Sequence, residues 1–561
     1  MRVRFHGKLT RGWVLGPTDD IPARMLPVTK LVSPVRFFDE RSLGLARWLS
    51  ERYVAPLAAV LERMVPPRVA SEEGAPKEQE MGAEARSASP TLASARPQLL
   101  PSYARGADLL GAISAGRAGG YVVRPAPEDE VVVAVEAVGA CLSAGKGALV
   151  VVPEASPVPG TAVALREAFG ERACLFVGGD KRARYRTWLD IAAGRFDVVV
   201  GTRPAVFAPV RDLGLLLVSR ESHPAHREDR APYYHVRDVA LARARVADAV
   251  CVLSALCPSG EAAAIGLPEV APAARRWPKV EVVRPGTEGR APRLVQALRK
   301  TRRGFLFAPM PGYGIARVCR SCGAPAACAA CGGMLRLAEG QVRCVVCEAQ
   351  GRCAACGAAD FGIHRGGAER VEEWAAKIAT VPVTRAVQPR LPADGEILVG
   401  GPEDVRDLGP GGLELVAILD ADAAARRPGL SARERALATW MEAVAWAAPH
   451  GRAIVQASQP NDPAVQALVR GNPARFHQRE RQRRADAGFP VGAPVFRVLG
   501  DGRLEPELEA LAPRTSLVTS LGGRTVCLLA LEPDRLAAFG RAMRDLAARG
   551  IVERVEAEPH L

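Results

Sequence analysis

Eight of the thirteen cysteines in this 561-residue chain fall between positions 319 and 356. They form four Cys-x-x-Cys pairs: Cys319/Cys322, Cys328/Cys331, Cys344/Cys347 and Cys353/Cys356. The gaps between successive pairs are 5, 12 and 5 residues, symmetric about the centre. Such a tight turn aims two thiolates at one ion, at about 2.3 Å each, and two turns complete the tetrahedron that suits Zn²⁺. Glycine follows the second cysteine in three pairs, as Gly323, Gly332 and Gly357, where a left-handed backbone is commonly needed. The remaining pair has Glu348 there. The central stretch GGMLRLAEGQVR reads as a hairpin turning near Glu339-Gly340. That closure brings Cys328/Cys331 beside Cys344/Cys347, and the outer pairs together one layer further out. Nested pairing therefore fits better than consecutive pairing. One zinc falls to Cys319, Cys322, Cys353 and Cys356, a second to Cys328, Cys331, Cys344 and Cys347. Thiol–disulfide exchange is the rival chemistry, but a redox pair usually stands once, at the start of a helix. A catalytic zinc keeps a position open for water. Eight thiolates divide into two closed sites, so both ions read as structural.

The elements around the cluster have an α/β texture. Continuous apolar runs at 148–153, 174–178, 196–201, 213–219 and 249–254 are separated by helix-length segments, the pattern of a parallel sheet covered on both faces. A second set follows at 304–308, 396–400, 413–420 and 452–457, interrupted by the cysteines. Residues 1–69 form a first unit, with strand-like MRVRF and RGWVLG and a helix from Ser42 to Met64. Residues 70–99 are polar and rich in Pro, Ala and Ser, and read as a linker. Beyond about 480 lies a smaller α+β unit, with TSLVTSL, TVCLLALE and IVERVEAE as strands around a helix Asp534–Arg549. The expected division is 1–69, 100–285, 286–480 with the zinc module at 317–358, and 481–561.

Hydrophobic residues make up 48% and charged residues 24%, ordinary values for a globular protein. No apolar run approaches the ~20 residues that span a bilayer, and the basic start MRVRFHGKLTRGW lacks the apolar stretch of a secretory signal. The expected location is the cytosol. A net charge of +14 points to a polyanionic partner, most simply nucleic acid. An equally good account is coding bias, because 67 of the 75 basic residues are Arg. Arg475, Arg479, Arg481, Arg483 and Arg484 make one basic run, read either as a phosphate-binding patch or as a solvated helix face.

In order and spacing, several stretches resemble the PriA family of primosomal replication-restart proteins across nearly the whole chain. They are MRVRFHGKLTRGWVLG, ALVVVPEASPVPG at 148–160, GTRPAVFAPVRDLGLLLVS with YYHVRDVALARAR, the cysteine block running into GGAERVEEW at 366–374, LVAILDAD at 415–422 and RFHQRERQRRADAGFP at 475–490. The resemblance implies two RecA-like lobes of superfamily-2 helicase type, a zinc module inserted in the second, an N-terminal DNA-binding domain and a C-terminal domain.

The chain departs from that family where nucleotide chemistry is expected. A phosphate cradle of the GxxxxGK[ST] kind should follow the strand at 121–123, but the sequence there is RPAPEDEVVV, with Glu128, Asp129 and Glu130. Gly145-Lys146-Gly147 imitates half a cradle but precedes a strand, as an ordinary turn. The acidic motif after the strand 213–219 reads Ser219, Arg220, Glu221, Ser222, and His223 reads either as a shifted remnant of it or, more simply, as a solvated loop histidine. The stretch WMEAVAWAAPHGR at 440–452 has Ala and Pro where the resemblance implies an arginine fork, and GGPEDVRDLGP at 400–410 departs from the family's motif V. No catalytic or nucleotide-binding residue is assigned, and the expectation is a non-enzyme homologue. The family's first ~30 residues have no counterpart before Met1, so that either the start is misplaced or the pocket for a 3′ DNA terminus is lost, and the 70–99 linker stands where the resemblance implies a winged helix.

These readings combine into a nucleoid-associated replication-restart factor. It binds branched or stalled-fork DNA and recruits primosome proteins, the replicative helicase and single-stranded DNA-binding protein, with two zinc ions and no membrane contact. The alternatives are a residual ATP-dependent helicase, or a zinc-dependent interaction scaffold that does not touch DNA.

Overall fold

The computed structural model describes all residues except 6, 18, 20–24, 74–97, 287–289, 309–313, 325, 331–334, 339, 345–347, 365–366, 423–428, 522–523 and 560–561. The apolar runs of the first block become the centre of an eight-stranded sheet. Its order is Tyr103–Ala104, Glu269–Pro272, Gly119–Val123, Val250–Ser254, Leu213–Ser219, Gly147–Val151, Val198–Gly201 and Ala173–Phe176. Every neighbouring pair is parallel except the short antiparallel one at the Tyr103 edge. Leu213–Ser219 and Gly147–Val151 are buried at every position. Their residues divide between two cores, Leu149 and Leu216 on one face, Val150 and Leu217 on the other. Helices on both faces explain why these strands are continuously apolar rather than alternating.

The second sheet is parallel throughout, in the order Lys279–Val283, Arg452–Gln456, Leu415–Ile418, Gly304–Phe307, Ile397–Gly400 and Val383–Arg385. A boundary at 285 leaves Lys279–Val283 in the first lobe, yet this strand pairs with Arg452–Gln456 and packs Val280 and Val282 on the second core. The crossing between lobes is therefore residues 273–278. The cysteine module leaves the second sheet after Phe307 as a four-stranded antiparallel sheet of its own. Its order is Gln341–Cys344, Leu335–Ala338, Gly314–Cys319 and Phe361–His364. Ala338 faces Gln341 across the predicted turn, and Gly340 has φ +77°; Glu339 and Gly332 lie outside the described residues.

At the N-terminus, Lys8–Arg11, Arg2–Phe5 and Val28–Lys30 form a three-stranded antiparallel sheet. The RGWVLG segment keeps only Arg11 in a strand, because Trp13 turns away to pack edge-on against Phe37 and Phe38 at 5.6 and 5.2 Å. The single helix expected from 42 to 64 is two helices, Glu40–Arg52 and Leu57–Met64. Pro56, which has no N–H to continue the first, starts the second. Of the expected linker, 74–97 lies outside the described residues, but its first residues are docked. Glu72 pairs with Arg182 and Arg186, and the Glu73 carboxylate accepts from Ser33, Arg68 and Tyr185.

The C-terminal sheet has the order Thr515–Leu521, Arg524–Ala530, Val495–Gly500 and Val552–Ala557, covered by the helix Leu536–Ala548. A boundary at 480/481 cuts the helix Ala474–Asp486. Although it follows the second lobe in sequence, this domain sits on the first. One continuous apolar core joins Phe496 and Phe539 to Leu49 and Tyr53 of the N-terminal helices and to Leu216 and Val218 of the first sheet. Arg227 of the first lobe reaches Glu556 at 2.9 Å, Arg52 pairs with Glu558, and Arg554 donates to the Tyr233 hydroxyl at 2.9 Å.

Candidate metal centre and inter-lobe cleft

Two matching turns build the outer cysteine group. The Gly323 N–H donates to the Cys319 carbonyl and the Gly357 N–H to the Cys353 carbonyl, at 2.9 and 2.8 Å, with φ of +73° and +74° at the glycines. The turns bring Cys319, Cys322, Cys353 and Cys356 together, with all four sulfurs within 4.8 Å of one another. Cys319 and Cys356 sulfurs are 3.6 Å apart, and Cys322 and Cys353 sulfurs 3.8 Å. A tetrahedron with metal–sulfur distances of about 2.3 Å has edges of about 3.8 Å, close to these two spacings, so the four sulfurs could hold one metal ion. Burial opposes ionisation of Cys319, but the N–H groups of Cys322 and Ser321 and the neighbouring thiols lower its pKa to about 7. Cys356 moves the other way: the Ala358 N–H works to lower it, but the Cys322 and Cys319 thiols carry it up to about 12.

Of the inner group, Cys328 and Cys344 are buried in the same small core, while Cys331 and Cys347 lie outside the described residues. Cys328 is bridged backbone to backbone with Cys353, which sets the inner knuckle against the outer group. The Cys344 turn repeats the glycine turns although it carries Glu348. That residue takes φ +57° and donates its N–H to the Cys344 carbonyl at 3.2 Å.

The two lobes meet across a cleft that is bridged by ion pairs. The loop after Gly119–Val123 is tied down: the Ala126 N–H donates to the Tyr103 hydroxyl at 2.9 Å, which donates to Asp129 at 2.7 Å. Arg276, from the inter-lobe crossing, pairs with Glu128 and Asp129. Arg220, just past the strand Leu213–Ser219, has φ +51° and is buried. Its guanidinium lies 3.8 Å from Glu130 and 3.5 Å from Glu442 of the second lobe. Arg406 crosses to Glu154, and the Asp407 carboxylate accepts the Thr161 N–H at 3.0 Å. Burial pushes the Glu130 carboxyl up to about 8, Arg220 pulling the other way while Asp407 and Glu442 add to the rise. Burial raises Glu154 and Glu442 as well.

Glu221 is fully engaged within the first lobe. Its carboxylate accepts from Arg237 at 2.9 Å and from the Ser259 hydroxyl and N–H at 2.7 and 2.9 Å. His223 is not in a solvated loop. It is 12% exposed, accepts the Ala225 N–H at 3.2 Å and lies 3.8 Å from Glu154. Burial and then His226 hold its ring well below the ordinary histidine range. Gly145, with φ +71°, and Lys146 form the plain turn expected between the helix Glu130–Ser143 and the next strand. Sequence reasoning missed the bridging roles of Arg406, Asp407 and Glu442. Nothing local marks them, because their partners are some 220 or more residues away in sequence.

The basic run at 475–484 does not act as one patch. Arg484 is buried against Glu261 at 2.8 Å and Glu434 at 3.7 Å, and Arg483 pairs with Glu480 at 3.0 Å. Arg475 and Arg479 face a cavity between the lobes, and Arg481 a smaller one. A second basic surface is the N-terminal sheet. Its strands carry Arg2, Arg4, Lys8, Arg11 and Lys30, without a carboxylate partner among the described residues, beside exposed Phe5, Leu9 and Val28.

Residues 1–66 match the family model described as the 3'DNA-binding domain (3'BD) of PriA. The chain is 29% identical to the probable replication restart protein PriA of Mycobacterium tuberculosis, strain H37Rv, over 91% of this chain and 83% of that protein. Over most of its length the chain is similar to PriA proteins. The replication restart protein PriA of Treponema pallidum is 27% identical over 88% of this chain and 80% of its own length. Among solved structures, the E. coli DExH-box NTPase HrpB aligns at 12% identity and TM-score 0.35, covering 67% of this chain and 43% of that chain. The expectation of a non-enzyme is corrected by these relatives: the chain aligns with 83% of the M. tuberculosis PriA and 80% of the T. pallidum PriA, and it keeps two parallel-sheet lobes, so a departure from a consensus motif does not make it a non-enzyme. The physical error lay in equating a consensus pattern with a site. Phosphates are held largely by backbone N–H groups, which loops of many sequences can present.

Proposed function

We propose that this chain acts in replication restart, holding branched or stalled-fork DNA and recruiting primosome proteins, the replicative helicase and single-stranded DNA-binding protein to it. The carrying observation is the N-terminal unit: a match to the 3′ DNA-binding domain coincides with a small sheet that exposes Arg4, Lys8, Arg11 and Lys30, keeps Arg2 half-buried, and exposes several apolar side chains. Cations position a phosphate backbone and exposed apolar groups suit unstacked bases. The cysteine module carries two structural zinc ions, Cys319, Cys322, Cys353 and Cys356 around one, Cys328, Cys331, Cys344 and Cys347 around the other. As a folded knuckle projecting from the second lobe, it offers a surface for protein partners. The protein works at the nucleoid, where its DNA is.

The test is fluorescence anisotropy with forked, duplex and single-stranded DNA across a salt series. The expected result is a preference for the fork, with affinity falling steeply as salt rises. The double charge reversal Arg4→Glu and Lys8→Glu is expected to weaken the fork at least tenfold. Indifference to fork structure, or no binding at low salt, overturns the reading and leaves a protein-binding scaffold.

A further inference from the structure

A cavity of about 440 Å³ lies between the N-terminal unit and the first lobe. It sits where the strands Gly147–Val151 and Leu213–Ser219 begin, whereas the inter-lobe cleft opens where they end. Its floor is apolar: Phe37, Phe38 and Leu45 come from the N-terminal unit, and Trp188, Phe207 and Val210 from the lobe. Phe37 lies against Trp188, with ring centroids 5.7 Å apart and 34° between the planes. Five cations line the cavity, Arg36, Arg41, Lys146, Arg211 and Arg243, against two acids, Asp39 and Asp212. Asp39 is occupied as the cap of the helix Glu40–Arg52, its carboxylate accepting the Ser42 N–H at 2.8 Å and the Ser42 hydroxyl at 2.6 Å. None of the five cations forms an ion pair with a carboxylate among the described residues.

The fold holds these side chains in place. Arg243 donates to the Val206 and Ala208 carbonyls, fixing the turn that presents Phe207. Burial lowers its guanidinium to about 10, with Asp39 pulling the other way. Arg36 and Arg211 each use Nε, on the Phe38 carbonyl at 3.2 Å and the Ala192 carbonyl at 3.1 Å, which leaves their terminal N–H groups for a ligand. Lys146 belongs to the Gly145-Lys146-Gly147 turn, which is no phosphate cradle in itself. A Cβ at Gly214 would meet the Lys146 Cβ at 2.5 Å, so the lysine stem is pressed against the start of Leu213–Ser219. Trp188 is 3% exposed, and its indole N–H finds no acceptor among the described residues. A buried donor without a partner is costly, and an acceptor on a ligand satisfies it.

An aromatic floor takes a flat ring, and a rim of guanidinium and ammonium groups takes an anion of more than one charge. The volume falls within the about 300–1,000 Å³ of small-molecule sites, which favours one free molecule over a strand. We propose that this cavity binds a free nucleoside phosphate. Its base rests on the aromatic floor with an acceptor turned to the Trp188 N–H, and its phosphate is held by Arg36, Arg41, Lys146 and Arg211. The site does not depend on the role of the N-terminal sheet in holding DNA. Because its walls belong to the N-terminal unit and to the first lobe, the ligand ties the two together.

Isothermal titration of the full chain with AMP and with GMP at low salt tests the proposal. The expected result is a site that R41E/K146E weakens at least about tenfold. Trp188→Phe, which removes the N–H and keeps an aromatic ring, is expected to weaken it about fivefold. Equal changes of charge elsewhere, R475E/R479E between the lobes and R541E/R544E on the C-terminal helix, are expected to leave affinity within about twofold. Inorganic phosphate alone and adenosine alone are each expected to bind at least about tenfold more weakly than AMP. If circular dichroism shows R41E/K146E or Trp188→Phe to be unfolded, R36E/R211E carries the expectation of R41E/K146E. The proposal is overturned by no binding of either nucleotide, by equal losses in the cavity and control variants, or by inorganic phosphate binding as tightly as the nucleotides. A single-stranded oligothymidylate that binds more tightly than AMP and loses as much on R41E/K146E overturns it too.

Discussion

Arg220 of the first lobe and Glu442 of the second face each other across the cleft at 3.5 Å, both nearly excluded from solvent. Neither residue can leave the other without stranding a buried charge. Removing one member of such a pair typically costs about 3–5 kcal/mol. Arg220→Met is therefore expected to lower the first unfolding midpoint in urea, and Glu442→Gln to do so by less, since its carboxyl is already pushed towards the neutral form. The double variant is expected to recover part of the loss, which a double-mutant cycle measures.

Glu130 gives the pH dependence a definite direction. Its folded pKa, about 8, stands above the ordinary 4.5, so the folded chain binds the extra proton between those values. Stability contributed by that proton is present below about 4.5 and lost as pH climbs towards 8, at up to about 1.4 kcal/mol per pH unit. Melting curves of Glu130→Gln between pH 5 and 9 are expected to lack this decline.

The buried histidines act in the opposite sense. Burial lowers both His226 and His477 from 6.5 to about 4, so only the unfolded chain protonates them in that window. Stability is complete above 6.5 and is lost as pH falls to 4, again by about 1.4 kcal/mol per pH unit for each ring. His477→Gln is expected to shallow the acid limb of the melting profile, most clearly in the Glu130→Gln background.

Metal content tests the cysteine module. The purified chain is expected to carry about two zinc ions, since structural sites hold their metal through folding. Cys319→Ser with Cys322→Ser is expected to leave about one ion, as is Cys328→Ser with Cys344→Ser. Loss of both ions from either double variant means that the groups fold as one unit.

Glu348 is the one residue of the knuckle turns forced into the left-handed region without being glycine or lying beyond description. It is exposed, so its side chain contributes little there. Glu348→Gly is expected to stabilise the module by about 1 kcal/mol, read as slower zinc release to a chelator.

What the sequence made legible was local. The run LGLLLVS predicts its strand to the residue, because burial on both faces leaves no alternation to misread. The symmetric spacing of the cysteines points to the outer group that the structure brings together. The illegible parts depend on distant partners. Lys279–Val283 reads equally well as the end of one lobe or the edge of the next, and only its pairing with Arg452–Gln456 decides. Arg484 and Arg479 look alike in a basic run. One is buried by Glu261 and Glu434 and the other faces a cavity, a difference set by residues up to 223 positions away.

The placement of the C-terminal domain on the first lobe has a mechanical consequence. The second lobe is strung between two anchor points on the same body, one where the chain arrives at 273–278 and one where it returns after Asp486. Such a lobe cannot drift off on a tether. It can only pivot about the line joining its two attachments, so any motion that widens one side of the cleft is geared to a narrowing elsewhere.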